Sequence, residues 1–200
     1  VGDPFAAADQ ALMLRRIVRQ VARKHGLSAS FMAKPFADRS GNGMHAHVSL
    51  LGPDGQNVFG SPQDGEAKLK QCVSGLLDTM HDTTLLFVST FNGFRRLSGA
   101  YSPSKALWGE NNRYVAVRLP RASGPARRFE HRVSGADANP HLVLAAILAG
   151  ACSVLLRAGL CGAGAARRDG DLGLLCTGAA GRSGHRRADG SRRAGAVPDH

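Results

Sequence analysis

Two hundred residues suffice for one domain of ordinary size and 43% hydrophobic content suffices for a core, but every aromatic residue precedes residue 151, and the remainder is rich in Gly, Ala and Arg. The formal charge of +11, mostly arginine, would suit an anionic partner, yet no zinc-finger, RNP or aromatic-plus-basic platform accompanies it, which argues against a nucleic-acid binder. Cys72, Cys152, Cys161 and Cys176 have neither CxxC nor Cys/His spacing. No basic-then-apolar leader opens the chain, and the longest uncharged apolar stretch, residues 142–156, falls short of the ~20 residues of a membrane span, so a cytoplasmic protein with no membrane and no nucleic-acid partner is expected.

Asp3 and Pro4 read as N-cap and first helical residue, and Ala7, Ala11, Leu14, Val18 and Val21 follow at helical spacing until Gly26, predicting an amphipathic helix packed on a sheet. Strand-like runs follow at residues 30–34 and 44–50. Ser61 and Pro62 open a second helix whose buried stripe is Leu69, Cys72, Val73, Leu76, Leu77 and Met80. Asn92-Gly93 reads as a turn, and further strand-like runs cover residues 114–119 and 128–133. A third helix begins at Asn139-Pro140, apolar all round and therefore to be buried against something larger. The fold class expected is α+β, with a mainly antiparallel sheet covered by helices on one side.

Three constellations bear on chemistry. In residues 44–50, strict alternation places His45, His47 and Ser49 on one face and Met44, Ala46, Val48 and Leu50 on the other. Two imidazoles so spaced can hold a metal or contact phosphate, and Ser40-Gly41-Asn42-Gly43 before them permits close backbone approach by a substrate; a solvated edge face reads equally well. In residues 127–133, Arg128, Glu130 and Arg132 share one face and Phe129, His131 and Val133 the other. A carboxylate between two guanidiniums suits metal-bound phosphate, with a surface salt-bridge ladder as the alternative. Arg95, Arg96, Arg113 and Arg118 add fixed positive charge, and an arginine inside the apolar run 115–119 is costly unless it meets an anion. The set points to a polyanion such as a nucleotide with its metals.

The segments FMAKPFADRSGNGMHAHVSL, NGFRRL, NNRYVAVRLP and ARRFEHRVSGADANPHLVLAAILAG resemble, in order, the catalytic-domain motifs of the glutamine synthetase family over residues 3–150. The resemblance implies phosphorylation of the γ-carboxylate of glutamate by ATP at a magnesium or manganese site, followed by displacement of the phosphate by ammonia or an amine. Carried over by position, it implies His45 and Glu130 as metal ligands. Asn42, Gly43, Arg96, Arg113 and Arg132 would hold glutamate or its activated carboxylate, with Arg96 and Arg113 catalytic. His47, Ser49, Arg118 and Arg128 would face ATP. After Arg96 the chain reads Leu97-Ser98-Gly99-Ala100-Tyr101-Ser102-Pro103, without the family's glutamate of a GxE-type segment, and Ser123-Gly124-Pro125-Ala126-Arg127-Arg128 replaces an SPKARR-like stretch with its nucleotide-side lysine. With EHRVSGADANP, these departures resemble the γ-glutamylpolyamine branch and favour an amine other than ammonia.

The resemblance further implies an N-terminal domain and metal-binding glutamates upstream of the first helix, and a homo-oligomeric ring in full-length members. Residues 1–150 are therefore expected to be a partial catalytic domain, inactive alone, and residues 151–200 a low-complexity tail that is disordered or read out of frame. A noncatalytic truncated product, or a weak nucleotide-binding module, is the alternative.

Overall fold

The computed structural model describes residues 2–99, 102–103 and 105–162, with the backbone alone for 156–162. The expected tail lies outside the described residues from residue 163 onward.

Helix α1, Pro4–Lys24, starts where the sequence places it: the Asp3 carboxylate accepts from the Ala6 N–H at 2.9 Å, Pro4 occupies the first turn, and Gly26 leaves the helix at φ +69°. Its expected apolar face is not packed on a sheet. Leu14, Val18 and Val21 are exposed, Ala8 is its buried residue, and α1 instead meets the start of α4, Pro140–Gly162, where Arg15 Nη2 donates to the Ala138 carbonyl at 2.9 Å. The core face of the sheet is covered instead by α4 and the helix of residues 65–87.

Residues 30–34 also depart from expectation, since no strand forms there. The backbone groups of Lys34 are taken by the Asn92 side chain and the Ala33 carbonyl by the Asn42 N–H. Four short strands make the sheet in the order β1-β4-β3-β2: β1 Ala46–Val48, β2 Trp108–Glu110, β3 Val117–Leu119 and β4 Phe129–His131. β4 pairs antiparallel with both β1 and β3, while β2 runs parallel to β3. The mainly antiparallel sheet expected from sequence is thus present, with β2 as an unforeseen edge.

Helix α2, Gly65–Phe87, and α4 cover one face of the sheet. Leu69, Cys72, Val73, Leu76 and Met80 of α2 meet Val143, Ala146, Ile147 and Ala151 of α4, with Phe129, Val117 and Val133 below. His131 also points into this core, its ring 4.4 Å from that of Phe87. α4 is capped by Asn139, whose Oδ1 accepts from the His141 N–H at 3.0 Å; it is buried on one side, with Leu142 exposed, and continues past Gly150 to Gly162. Asn92-Gly93 is no turn but part of α3, Phe91–Leu97, because Thr90 caps it by accepting from the Gly93 N–H at 3.1 Å. Among the described residues no helix is long and apolar enough to cross a membrane.

Two consequences are measurable. A Cβ on Gly75 would run into the Gly150 carbonyl oxygen, so Gly75→Ala should lower the thermal midpoint by the equivalent of about 1–3 kcal/mol, although helix propensity alone favours Ala; a raised midpoint contradicts the α2–α4 contact. Burial, with the nearby His45, pushes the His131 imidazole down to about 3, so the unfolded chain binds more protons as pH falls below the ordinary histidine value. Its contribution is present above that value and is lost on acidification, about 2 kcal/mol by pH 5. In urea unfolding between pH 7 and 5, His131→Leu should flatten the loss of stability; an unchanged slope contradicts this.

Candidate active site

The alternation that buries Phe129 and His131 turns Arg128, Glu130 and Arg132 to the opposite face of the sheet. Strand register sets their neighbours: His47 of β1 lies opposite Glu130, and Arg118 of β3 opposite its other side, forming a row across three strands. Met44, Ala46, Val48 and Leu50 pack against the core, while His45 and His47 are exposed, so the expected alternation of residues 44–50 is present.

Glu130 is the centre. Its Oε2 accepts from Arg118 Nη1 at 2.7 Å and its Oε1 from Arg132 Nη1 at 2.6 Å, and His45 Nδ1 lies 3.1 Å from Oε1. The carboxylate is 3% exposed. Burial pushes its pKa up, but the Arg118 hydrogen bond and the charge of Arg132 more than offset this and hold it below the ordinary glutamate value. The arginine inside the apolar strand therefore meets an anion, and that anion is the chain's own.

Both imidazoles are held below the ordinary histidine pKa, which favours their neutral form. Burial is the main cause for each; Arg132 lowers His45 further and Arg128 lowers His47, against an upward pull from Glu130. Neutral imidazole is the form that ligates metal. An Nδ1–H of His45 donating to Glu130 leaves Nε2 with the lone pair. His47 Nδ1 accepts from Arg128 Nε at 3.2 Å, and Arg128 Nη1 is anchored on the Ala126 carbonyl at 2.9 Å. The Ser49 hydroxyl donates to the Arg127 carbonyl at 3.1 Å.

The remaining expected residues divide. Arg96 of α3 is buried; its Nη1 donates to the Val133 carbonyl at 2.7 Å and Nη2 to that of Arg132 at 3.1 Å. It lies behind the loop of Gly41 and Gly43, where an added Cβ would come within 2.7 Å of Arg96 Cγ and 2.5 Å of Nη2 respectively. The close approach that these glycines permit is to Arg96. Asn42 is held by its backbone, N–H to Ala33 and carbonyl from the Ala136 N–H. Arg95 and Arg113 are exposed, and Arg113 makes no hydrogen bond or ion pair with the cluster among the described residues.

Two residues were missed. Asn111, at φ +48°, accepts from Arg118 Nη2 at 2.6 Å, a left-handed position that the Asn-Asn pair at 111–112 signals in retrospect. Asn57 reaches across to the Pro125 and Arg127 carbonyls at 3.0 and 2.7 Å, a long-range contact with no local signal.

Two guanidiniums, of Arg118 and Arg132, thus share one carboxylate, with Arg128 beside His47 and Arg96 behind Arg132, where Asp137 adds negative charge. Arg118 Nε and Arg132 Nε are buried without a hydrogen-bond partner among the described residues. The excess is positive and suits a polyanion. A neutral imidazole and a carboxylate are donor types that suit a divalent cation such as magnesium or manganese, and His45 and Glu130 would supply part of its ligand set; no group of three or more His, Cys, Asp or Glu gathers among the described residues. A cavity of about 860 Å³ beside α1, lined by Leu12, Arg15, Arg19, Phe31 and Asp137, contains none of the residues of the Glu130 cluster.

Residues 1–160 match the family described as glutamine synthetase, catalytic domain. The chain is 46% identical over 147 residues to gamma-glutamylputrescine synthetase of Escherichia coli (strain K12), covering 72% of this chain and 31% of that protein. It is 35% identical over 150 residues to a glutamate–isopropylamine ligase of Pseudomonas sp, covering 73% and 33%. Among solved structures, ligand-free apo GmaS superposes with a TM-score of 0.69 at 35% identity, covering 78% of this chain and 36% of that one. The chain spans about a third of the length of these relatives.

Glu130→Gln leaves Arg118 and Arg132 partly buried without a counter-charge, so a destabilisation of about 3 kcal/mol or more is expected in urea unfolding. Added inorganic phosphate should restore more stability to the variant than to the parent; equal effects contradict the excess of positive charge.

Proposed function

The chain belongs to the glutamine synthetase family, and on that premise we propose that its site serves an ATP-dependent ligase that joins the γ-carboxyl of glutamate to an amine. The observation that carries the reading is the Glu130 cluster: an excess of guanidinium charge around one buried carboxylate, with two neutral imidazoles at its edge. Such a site attracts a phosphorylated ligand and offers a divalent cation two donors of the right hardness.

The roles follow from position. His45 and Glu130 would hold magnesium or manganese, which when bound supplies Lewis-acid neutralisation of phosphate oxygens. Arg118 and Arg128, with His47 and Ser49 beside them, would bind the ATP phosphates, since a guanidinium forks onto phosphate as it does onto carboxylate. Arg132, Asn42 and Gly43 would form the glutamate side, backed by Arg96, and exposed Arg113 adds a guanidinium that a bound anion can recruit.

In the first step a γ-carboxylate oxygen of glutamate attacks the γ-phosphorus of ATP and the bond to ADP breaks. In the second, the amine nitrogen attacks the acyl carbon, the carbon–oxygen bond to phosphate breaks, and the amine loses one proton. The arginines hold the anionic groups in place and stabilise charge as it moves between them. An amine larger than ammonia is favoured because residues 97–103 carry no carboxylate to accept a proton from ammonium, and because two relatives are named for putrescine and isopropylamine.

Phosphate release from ATP should require manganese or magnesium, glutamate and an amine together, with putrescine outperforming ammonium. Arg128→Ala should reduce it by about 10²-fold. ATP binding without amine-dependent release would indicate a nucleotide-binding module in place of a ligase.

A further inference from the structure

The site face of the sheet is held from behind by α3, through two side chains four residues apart on one helical face, Asn92 and Arg96. Arg96 packs on Gly41 and Gly43 and binds the carbonyls following β4. Asn92 does something different. Its Oδ1 accepts from the Lys34 N–H and its Nδ2 donates to the Lys34 carbonyl, both at 2.7 Å, so one side-chain amide pairs a peptide as a neighbouring strand would. The adjoining Ala33, 0% exposed, gives its carbonyl to the Asn42 N–H at 2.7 Å, and the Asn42 carbonyl accepts from Ala136 at 3.0 Å. Met44, next along, bonds to the Ser134 carbonyl at 2.9 Å, and His45 follows.

We propose that Asn92 is a positioning residue: by clamping Lys34 onto α3 it fixes Ala33 and, through Ala33, the Gly41-Asn42-Gly43 loop that presents the glutamate side of the site. The clamp stands on the contacts above; what the loop binds rests on the ligase reading. Residues 30–34 form no strand, so these side-chain bonds replace the ladder that would otherwise hold them. No other residue type supplies both a donor and an acceptor at this reach: Asp loses the donor and sets a carboxylate oxygen against the Lys34 carbonyl, and Ala loses both bonds. Asp also sits well in the first turn of a helix, so Asn92→Asp tests the clamp without weakening α3 itself.

The experiment is site-resolved amide hydrogen exchange on the chain and on Asn92→Asp and Asn92→Ala, paired with titrations of L-glutamate and of ADP in the presence of manganese. The Asn42 and Met44 amides should exchange about tenfold faster in both variants, while those of Val73 in α2 and Val117 in β3 keep their rates. Glutamate affinity should fall about tenfold, as expected for a neutral hydrogen bond or two, and ADP affinity by less than about twofold. Unchanged exchange at Asn42, or acceleration shared equally by Val73 and Val117, overturns the clamp; so does a parallel loss of glutamate and ADP affinity. A parent chain that binds no glutamate refutes the ligase reading instead, and the exchange rates still decide the clamp.

Discussion

The Glu130 carboxylate is the interaction on which the site depends. It lies in the central strand of the sheet, between a histidine strand and an arginine strand, and it neutralises two guanidiniums that could not otherwise sit against an apolar layer. Removing both charges and the carboxylate together would leave a well-packed sheet. Removing the carboxylate alone leaves buried positive charge. This asymmetry binds the chemistry to the fold, because β4 carries the core on one face through Phe129 and His131 and the site on the other through Arg128, Glu130 and Arg132.

From that strand outward, each layer narrows what the site can do. α2 and α4 close the far face and bury the core side of β4. Burial and neighbouring arginines keep His45 and His47 neutral, so they enter as ligands or hydrogen-bond partners and add no charge. With both imidazoles neutral, one carboxylate faces several guanidiniums, and an anion with more than one negative charge is the natural complement. Membership of the glutamine synthetase family is in keeping with the proposal that this anion is a nucleotide with its metal. Among the described residues, Arg127 lies outside this cluster, bonded to the Ala122 carbonyl and to Glu66, and Arg95 is exposed.

Much of this was legible in sequence, and the reason is periodicity. Strict alternation at residues 44–50 and 127–133 sorted the core-packed side chains from those on the opposite face of the sheet, and the Asp3-Pro4 and Asn139-Pro140 pairs located two helix starts. What was not legible depended on partners distant in sequence. Residues 30–34 read as a strand-like run, but the backbone bonds of Lys34 go to Asn92, some sixty residues away. Asn92-Gly93 looks like a turn until Thr90 caps it into a helix. Gly41 and Gly43 read as points of close approach, and on the side where a Cβ would stand the group that approaches is Arg96, whose charge is met by backbone carbonyls that no local pattern announces. The apolar stripe of α1 was read correctly as a pattern and wrongly as a contact with the sheet.

The most direct test of the central claim, that the Glu130 cluster is a site for a metal-bound polyphosphate, is thermal unfolding of the chain with manganese, with ATP, and with both. A ligand that binds the native state alone must raise the midpoint, and increasingly so with its concentration. The account predicts that manganese and ATP together raise the midpoint by more than the sum of their separate effects. A midpoint that does not move with both present would contradict it.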